Sequence, residues 1–310
     1  MRREFEWVDF FRARIPKRLQ GAFGIGDDAG GLAFQGGGPL LFACDTIVEG
    51  VDFIRKKARP EDVGRKALAV NLSDLAAMAA RPLGFVIALG LPPDLKNSWV
   101  ERFYSGLIGL AREWRVPCLG GDLSRAREIF CSVSILGTPS AGKSVLRSGA
   151  RPGDWIGVTG TLGGSILGRH FLFEPRLHEA EFLARRFRPS AMIDISDGLL
   201  QDLGHLLKAS GAGAELYPDS IPVSREAFQL SRRDPAKAFR HALSDGEDFE
   251  LLFTCAPARR RGIDRVWKKH FPRTRLSWIG RIRQGKRLAW FDQGRRVPTP
   301  VLTSKGYSHF

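Results

Sequence analysis

The chain has 310 residues, of which 43% are hydrophobic and 26% charged, a balance that suits two ordinary globular domains and argues against disorder or a fibrous repeat. No apolar run approaches the roughly 18 residues that span a bilayer, and residues 1–16 lack the apolar core of a signal segment, so a cytoplasmic protein with no membrane partner is expected. The formal charge of +15 points to an anionic partner, whether nucleic acid, membrane surface or phosphorylated metabolite. Much of that excess is local: residues 259–296 hold 14 Lys or Arg against two acids, Asp264 and Asp292. Cys44, Cys118, Cys131 and Cys255 form no CxxC pair and are expected as reduced thiols.

Apolar runs ending in Gly or Asp alternate with helical stretches, which predicts mixed α/β architecture. Residues 40–44 read as a buried strand that ends at Asp45. Residues 60–80 read as a helix with Val63, Ala67, Leu68, Leu72, Leu75 and Met78 on one face, stopped by Arg81-Pro82. A strand at 85–91, a helix at 97–114, a strand at 116–119 before Gly120-Gly121-Asp122, and a strand at 129–137 follow. The turn cluster at 147–154 is the candidate domain boundary, dividing the chain into residues 1–148 and 149–310. Beyond it, strands are predicted at 155–159 and 191–195, helices at 179–188 and 199–210, and a late strand closes at Ile279-Gly280.

Aspartates gather in Gly-rich or apolar segments: Asp27, Asp28, Asp45, Asp74, Asp122, Asp194 and Asp197. Any one of these segments suits a solvated surface turn, but repetition changes the reading. Half-buried carboxylates without basic neighbours need cations. Hard oxygen donors in such number, without paired Cys or clustered His, fit Mg²⁺ with substrate phosphates rather than zinc. That is the electrostatic apparatus of phosphoryl transfer. Arg147 is either a phosphate-binding fork or a surface arginine in its turn.

Gly137 to Ser144 matches the phosphate-loop pattern GxxxxGK[ST] literally, with Lys143 as its lysine. The pattern needs a helix to follow, and Ser148-Gly149-Ala150-Arg151-Pro152-Gly153 predicts a turn instead, so the match is read as accidental. No HExxH or GxSxG arrangement accompanies the six histidines or Ser196. Trp267, Phe271, Trp278, Trp290 and Phe291 in the basic stretch suit core packing better than base stacking.

GIGDDAG, CDTIVEGVDF, KALAVNLSDLAAMAARP, GGDLS, RSGARPGDWIGVTG, MIDISDGLLQDLGH, SDGEDFELLF and SKGYSHF stand in the order seen in thiamine-monophosphate kinases, and the resemblance spans the chain. It implies the two-domain α/β fold of the aminoimidazole-ribotide synthetase-like superfamily, with an N-terminal domain that pairs with a second copy in a dimeric β-barrel. It implies ATP-dependent phosphorylation of thiamine monophosphate to the diphosphate by direct in-line transfer, in a homodimer using several Mg²⁺ ions. Carried to this chain, Asp27, Asp28, Asp45, Asp74, Asp122, Asp194 and Asp197 would hold metal. Gly121, Asp122, Arg147, Ser196 and Tyr104 would meet ATP, and Asp52, Glu247 and Tyr307 the thiamine phosphate. An acceptor phosphate is already anionic at neutral pH, so no catalytic base is expected.

The chain departs from that family at Ala43-Cys44, where two hydroxyl residues usually precede the aspartate, and at GGDLS, which keeps only Ser124 of two hydroxyls. Asp52 stands where many members have His. A helix-sized segment is missing between Pro189 and Ala191. Two other readings are a degenerate member whose basic region binds nucleic acid or another polyanion, and a sister ATP-dependent enzyme with a different phosphate acceptor. The retained carboxylates favour the kinase, and leave nucleic acid at most a weak, non-specific partner.

Overall fold

The structure, a computed structural model, describes residues 27–32 and 39–299. Among them the first sheet has the order β1-β2-β5-β3-β4, built from β1 (Gly30–Leu32), β2 (Leu40–Val48), β3 (Ala80–Leu91), β4 (Cys118–Arg125) and β5 (Phe130–Pro139). Period-two alternation sends Leu41, Ala43 and Ile47 of β2 into the core and leaves Phe42, Cys44 and Thr46 outward. Helices α1 (Pro60–Ala77) and α2 (Asn97–Glu113) pack against each other, α1 lying on the buried side of the sheet. They cross closely at two glycines: a Cβ on Gly64 would lie 1.9 Å from the Phe103 carbonyl, and one on Gly106 1.8 Å from that of Glu61.

Helix α1 begins with Pro60 in its first turn and Glu61 and Asp62 against the positive end of its dipole. It is buried on nearly every side, because it also packs against the second half of the chain. It stops earlier than the expected residue 80. Met78 ends the last turn, Ala79 swings to φ +51, and β3 begins at Ala80. Pro82 therefore lies inside a strand, tolerated where the β3–β5 register shifts between Pro82 and Gly84.

Two strands also run further than the sequence suggests. β2 continues through Asp45 to Val48, since its whole length pairs with β5. β4 starts at Cys118 and passes through Gly120-Gly121-Asp122, because parallel pairing with β3 overrides the turn tendency of two glycines. A Cβ on Gly121 would sit 1.9 Å from the Ile87 carbonyl.

The second sheet has the order β12-β11-β8-β10-β6-β9-β7, from β6 (Trp155–Thr159), β7 (Ala191–Asp194), β8 (Gly213–Leu216), β9 (Leu251–Cys255), β10 (Leu276–Arg283), β11 (Leu288–Asp292) and β12 (Arg295–Val297). Its helices are α3 (Arg169–Leu172), α4 (Leu177–Arg186), α5 (Leu199–Ser210), α6 (Arg225–Leu230), α7 (Pro235–Ser244) and α8 (Pro257–His270). The short passage into β7 is closed by Ser190, whose hydroxyl bonds Asp154 and Thr254, each at 2.6 Å. Residues 140–154, between the sheets, contain no helix, so the literal phosphate-loop match has no helix N-terminus behind it and Lys143 is exposed. Trp267, Trp278 and Trp290 are buried, consistent with core packing. All four cysteines are free thiols. No helix among the described residues is long and apolar enough to cross a membrane.

Candidate active site

Helix α1 separates the two sheets, and around it the chain brings distant aspartates to one cavity of about 610 Å³. The residues just before β1 supply Asp27 and Asp28, β2 supplies Asp45, and the last turn of α1 supplies Asp74. The end of β7 gives Asp194, and the loop into α5 gives Ser196 and Asp197. Asp28, Asp74 and Asp194 each place a carboxylate oxygen within 4.8 Å of the others, as do Asp197 and Asp202 with a ring nitrogen of His205.

Such convergence costs electrostatic energy. Burial, then repulsion from Asp45, Asp194 and Asp28, pushes the Asp74 carboxyl well above the usual carboxylate range. Asp194 is pushed up to about 8, by burial first and then by Asp28, against the hydrogen bond from the Ser73 hydroxyl at 2.6 Å. Asp202 is raised well above its ordinary value by burial, Asp197 and Asp194. Its Oδ2 accepts the backbone N–H groups of Asp197 and Gly198 at 3.1 Å each, fixing the turn that presents Asp197.

Arg147 opposes the repulsion from one side. Its Nε and one terminal nitrogen donate to Asp28 at 3.1 and 2.8 Å, and its backbone N–H donates to Asp27 at 2.7 Å. Burial would weaken its charge, but Asp28, Asp194 and Asp74 hold the guanidinium above its ordinary pKa. Asn71, one turn before Asp74 on α1, accepts from the backbone N–H of Asp45 at 3.1 Å and so docks β2 on the helix.

The other end of the cavity is built by residues 245–250. Glu247 and Phe249 occupy the left-handed region at φ +60 and +50, a strained conformation for residues with side chains. Buried charges hold them there. Asp248 bonds Arg169 and accepts twice from Gly163 N–H at 3.0 and 2.9 Å, and Glu250 takes a forked bond from Arg176 at 2.7 and 2.6 Å. Glu247 donates its N–H to the Ser196 carbonyl at 2.6 Å and pairs through its carboxylate with Lys66 of α1.

The structure thus gathers Asp27, Asp28, Asp45, Asp52, Asp74, Arg147, Asp194, Ser196, Asp197 and Glu247 around one cavity. It does not bring Gly121, Asp122 or Tyr104 there within one chain. Gly121 and Asp122 lie exposed on β4, at the far edge of the first sheet, and Tyr104 is half-buried on α2 against Phe103. Tyr307 lies outside the described residues. Of the two departures before Asp45, Ala43 packs in the core, whereas Cys44 lines the cavity with its thiol beside the hydroxyls of Ser132 and Ser134.

Lys66, Asn71, Ser73, Asp202, His205 and Asp245 escaped the sequence reading. Their signal was present as polar residues recurring on the apolar helix α1, and as Asp202 and His205 three apart on α5.

Residues 26–138 match the family model described as AIR synthase related protein, N-terminal domain. Thiamine-monophosphate kinase of Salmonella typhimurium is 40% identical, with 99% of this chain and 98% of that protein covered. That of Rhodopirellula baltica is 39% identical, covering 92% of each. A solved structure described as AaThiL complexed with AMPPCP and TMP superimposes with a TM-score of 0.82 at 31% identity, over 100% of this chain and 99% of that one. Thiamine-monophosphate kinase from Stenotrophomonas maltophilia matches with a TM-score of 0.74 at 34% identity, over 95% and 98% of the two chains. With full-length relatives at this identity, the chain belongs to the thiamine-monophosphate kinase family.

Proposed function

We propose that this cavity transfers the γ-phosphate of ATP to the phosphate of thiamine monophosphate, forming thiamine diphosphate by direct in-line attack. The observation that carries this reading is the convergence of Asp28, Asp74 and Asp194 at the cavity wall. Three mutually repelling carboxylates, two of them pushed towards protonation, form an all-oxygen donor set that suits a hard divalent cation. Asp27, Asp28, Asp45, Asp74, Asp194 and Asp197 would hold Mg²⁺. When bound, Mg²⁺ supplies charge neutralisation to the polyphosphate and to the attacking and leaving oxygens.

The remaining work falls to the chain itself. Arg147 is positioned by Asp28 with its flat fork at the cavity, ready to share charge with a nucleotide phosphate. The hydrogen bond from Glu247 N–H to the Ser196 carbonyl ties the nucleotide side to the acceptor side, so both substrates meet one rigid frame. His241 is tied to Asp245 at 3.0 Å, and the anionic acceptor needs no base from it. Val51, Ile166 and Leu230 form an apolar wall for the acceptor's rings, with the carboxylate of Glu247 beside them.

Gly121 and Asp122 join this site through a second copy. The register sets Gly121 opposite Ile87, Ile87 opposite Val133 and Val133 opposite Asp45, which is three strand spacings, roughly 14 Å. One chain cannot close that gap. β4 is exposed along its whole length, with Leu119 and Leu123 each 63% exposed. Pairing of two such sheets would cover those leucines, close a barrel and bring the partner's β4 towards the cavity. The N-terminal unit, residues 1–148, then carries Asp27, Asp28, Asp45, Asp74, Arg147 and the dimer contacts, and residues 149–310 add Asp194, Ser196 and Asp197 to the metal and nucleotide end and Glu247 to the acceptor side of a cytoplasmic enzyme.

With ATP, Mg²⁺ and thiamine monophosphate, the protein should produce thiamine diphosphate and ADP in equal amounts, and Asp74→Asn should lower kcat by at least about a hundredfold. ATP loss without diphosphate, or near-normal turnover by Asp74→Asn, would overturn the reading.

The raised carboxyls set a pH dependence. Asp74 and Asp194 keep protons in the native state that the unfolded chain has already released, so this cluster's contribution to stability falls as pH rises from the ordinary carboxylate range through about 8. A bound cation replaces those protons. The rise in melting temperature given by Mg²⁺ over chelator should therefore be several degrees larger near pH 8 than near pH 5. An increment that is flat or shrinks with pH contradicts the cluster's role.

Mixing inactive Asp122→Asn and Asp74→Asn proteins and allowing subunits to exchange should restore about a quarter of normal activity, since half the dimers would be mixed and each would hold one intact site. No recovery would place Asp122 outside the partner's site.

A further inference from the structure

We propose that Lys66 is a positioning residue for the acceptor, holding Glu247 so that its carboxylate reads the ring farthest from the acceptor's phosphate. The inference rests on the kinase reading above and assigns a role to a residue which that reading does not use. Lys66 is 1% exposed, yet it lines the cavity. A buried ammonium is costly unless its donors are used. Here it donates to the Asp52 carbonyl at 3.1 Å and pairs with the Glu247 carboxylate, with the Phe171 ring 5.5 Å away. Asp52 and Glu247, the two described residues placed on the acceptor side, thus share one cation.

One carboxylate oxygen of Asp52, Oδ2, is used within its own loop, accepting the Val48 N–H at 2.7 Å. Glu247 lines the same cavity with its side chain 32% exposed, while that of Lys66 is 1% exposed. Glu247 also sits at a strained φ of +60, and Lys66 reaches it from α1. The cation therefore fixes one carboxylate oxygen and leaves the other to a ligand.

Helix α1 supplies the scale. Asp74, at the metal end, stands eight residues after Lys66, roughly 12 Å along the helix axis. An acceptor whose phosphate is at the carboxylate cluster would bring its distal ring to the Lys66–Glu247 pair. The ligand class is a phosphomonoester carrying, at that distance, an amino-substituted heteroaromatic ring able to donate to a carboxylate, as an aminopyrimidine does. Lys66 acts through Glu247 and takes no part in bond making.

The test compares the parent enzyme, Lys66→Met, Glu247→Gln and the double variant, with KM for thiamine monophosphate and for ATP measured separately. Lys66→Met is expected to raise the acceptor KM roughly 10- to 100-fold, the worth of a charge-assisted hydrogen bond, with the ATP KM within about twofold of the parent's. The phosphorylated hydroxyethylthiazole, which lacks the aminopyrimidine, should inhibit parent and variant equally. Because Lys66 acts only through Glu247, the double variant is expected to match Glu247→Gln, both with a raised acceptor KM; should Lys66→Met fail to fold with Glu247 left unpaired, that match carries the test, and an acceptor KM raised clearly further in the double variant than in Glu247→Gln overturns the proposal. An unchanged acceptor KM, a parallel rise for ATP, a parallel loss of the thiazole inhibitor, or a double variant with the parent's acceptor KM would each reduce Lys66 to a structural ion pair and overturn the proposal. A parent enzyme that forms no diphosphate would instead sink the kinase reading itself.

Discussion

Carboxylates forced together against their own repulsion organise this protein. Asp28, Asp74 and Asp194 come from three separate parts of the chain and meet within 4.8 Å. Burial adds to their mutual repulsion, and two of the three, Asp74 and Asp194, are driven towards protonation. Arg147 with its forked bond to Asp28, Ser73 beneath Asp194 and Asn71 against the backbone of Asp45 bring only partial relief. A fold that keeps such an arrangement carries a standing demand for cations, and that demand is what phosphoryl transfer between two anionic substrates needs met.

Helix α1 makes the arrangement rigid. It is clamped to α2 where Gly64 and Gly106 allow backbone contact, and it packs against strands of both halves, so the residues it carries cannot drift relative to either. The strained loop at 245–250 is held in the same manner, by Glu247, Asp248 and Glu250 each paired with a cation from a different element. Local conformational cost is concentrated beside the cavity and compensated by buried charge pairs, the pattern of a site built for geometry more than for stability.

Much of this was legible in the sequence because its signals are local. The α/β alternation, the boundaries of β6 and α5 and the aspartates at strand ends follow from periodicity and from the oddity of acids in apolar segments. What escaped was non-local. That β2 runs on to Val48 and β4 begins at Cys118 depends on pairing with β5 and β3, which no window around Asp45 or Gly121 contains. Lys66 and Asp202 escaped for another reason: a polar residue in an apolar helix reads as solvent-facing until its buried partners, Glu247 for one and the N–H groups of Asp197 and Gly198 for the other, are known. The placement of Asp122 on the far edge of the sheet likewise follows from strand order alone.

A carboxylate cluster of this composition should hold a divalent cation. Diffraction from crystals of the full chain grown with Mn²⁺ and a non-hydrolysable ATP analogue, recorded for anomalous scattering, would locate it. Anomalous density is expected among the carboxylate oxygens of Asp28, Asp74 and Asp194, beside the analogue's phosphates. Phosphates bound with no metal among those three carboxylates would rule out that role for the cluster.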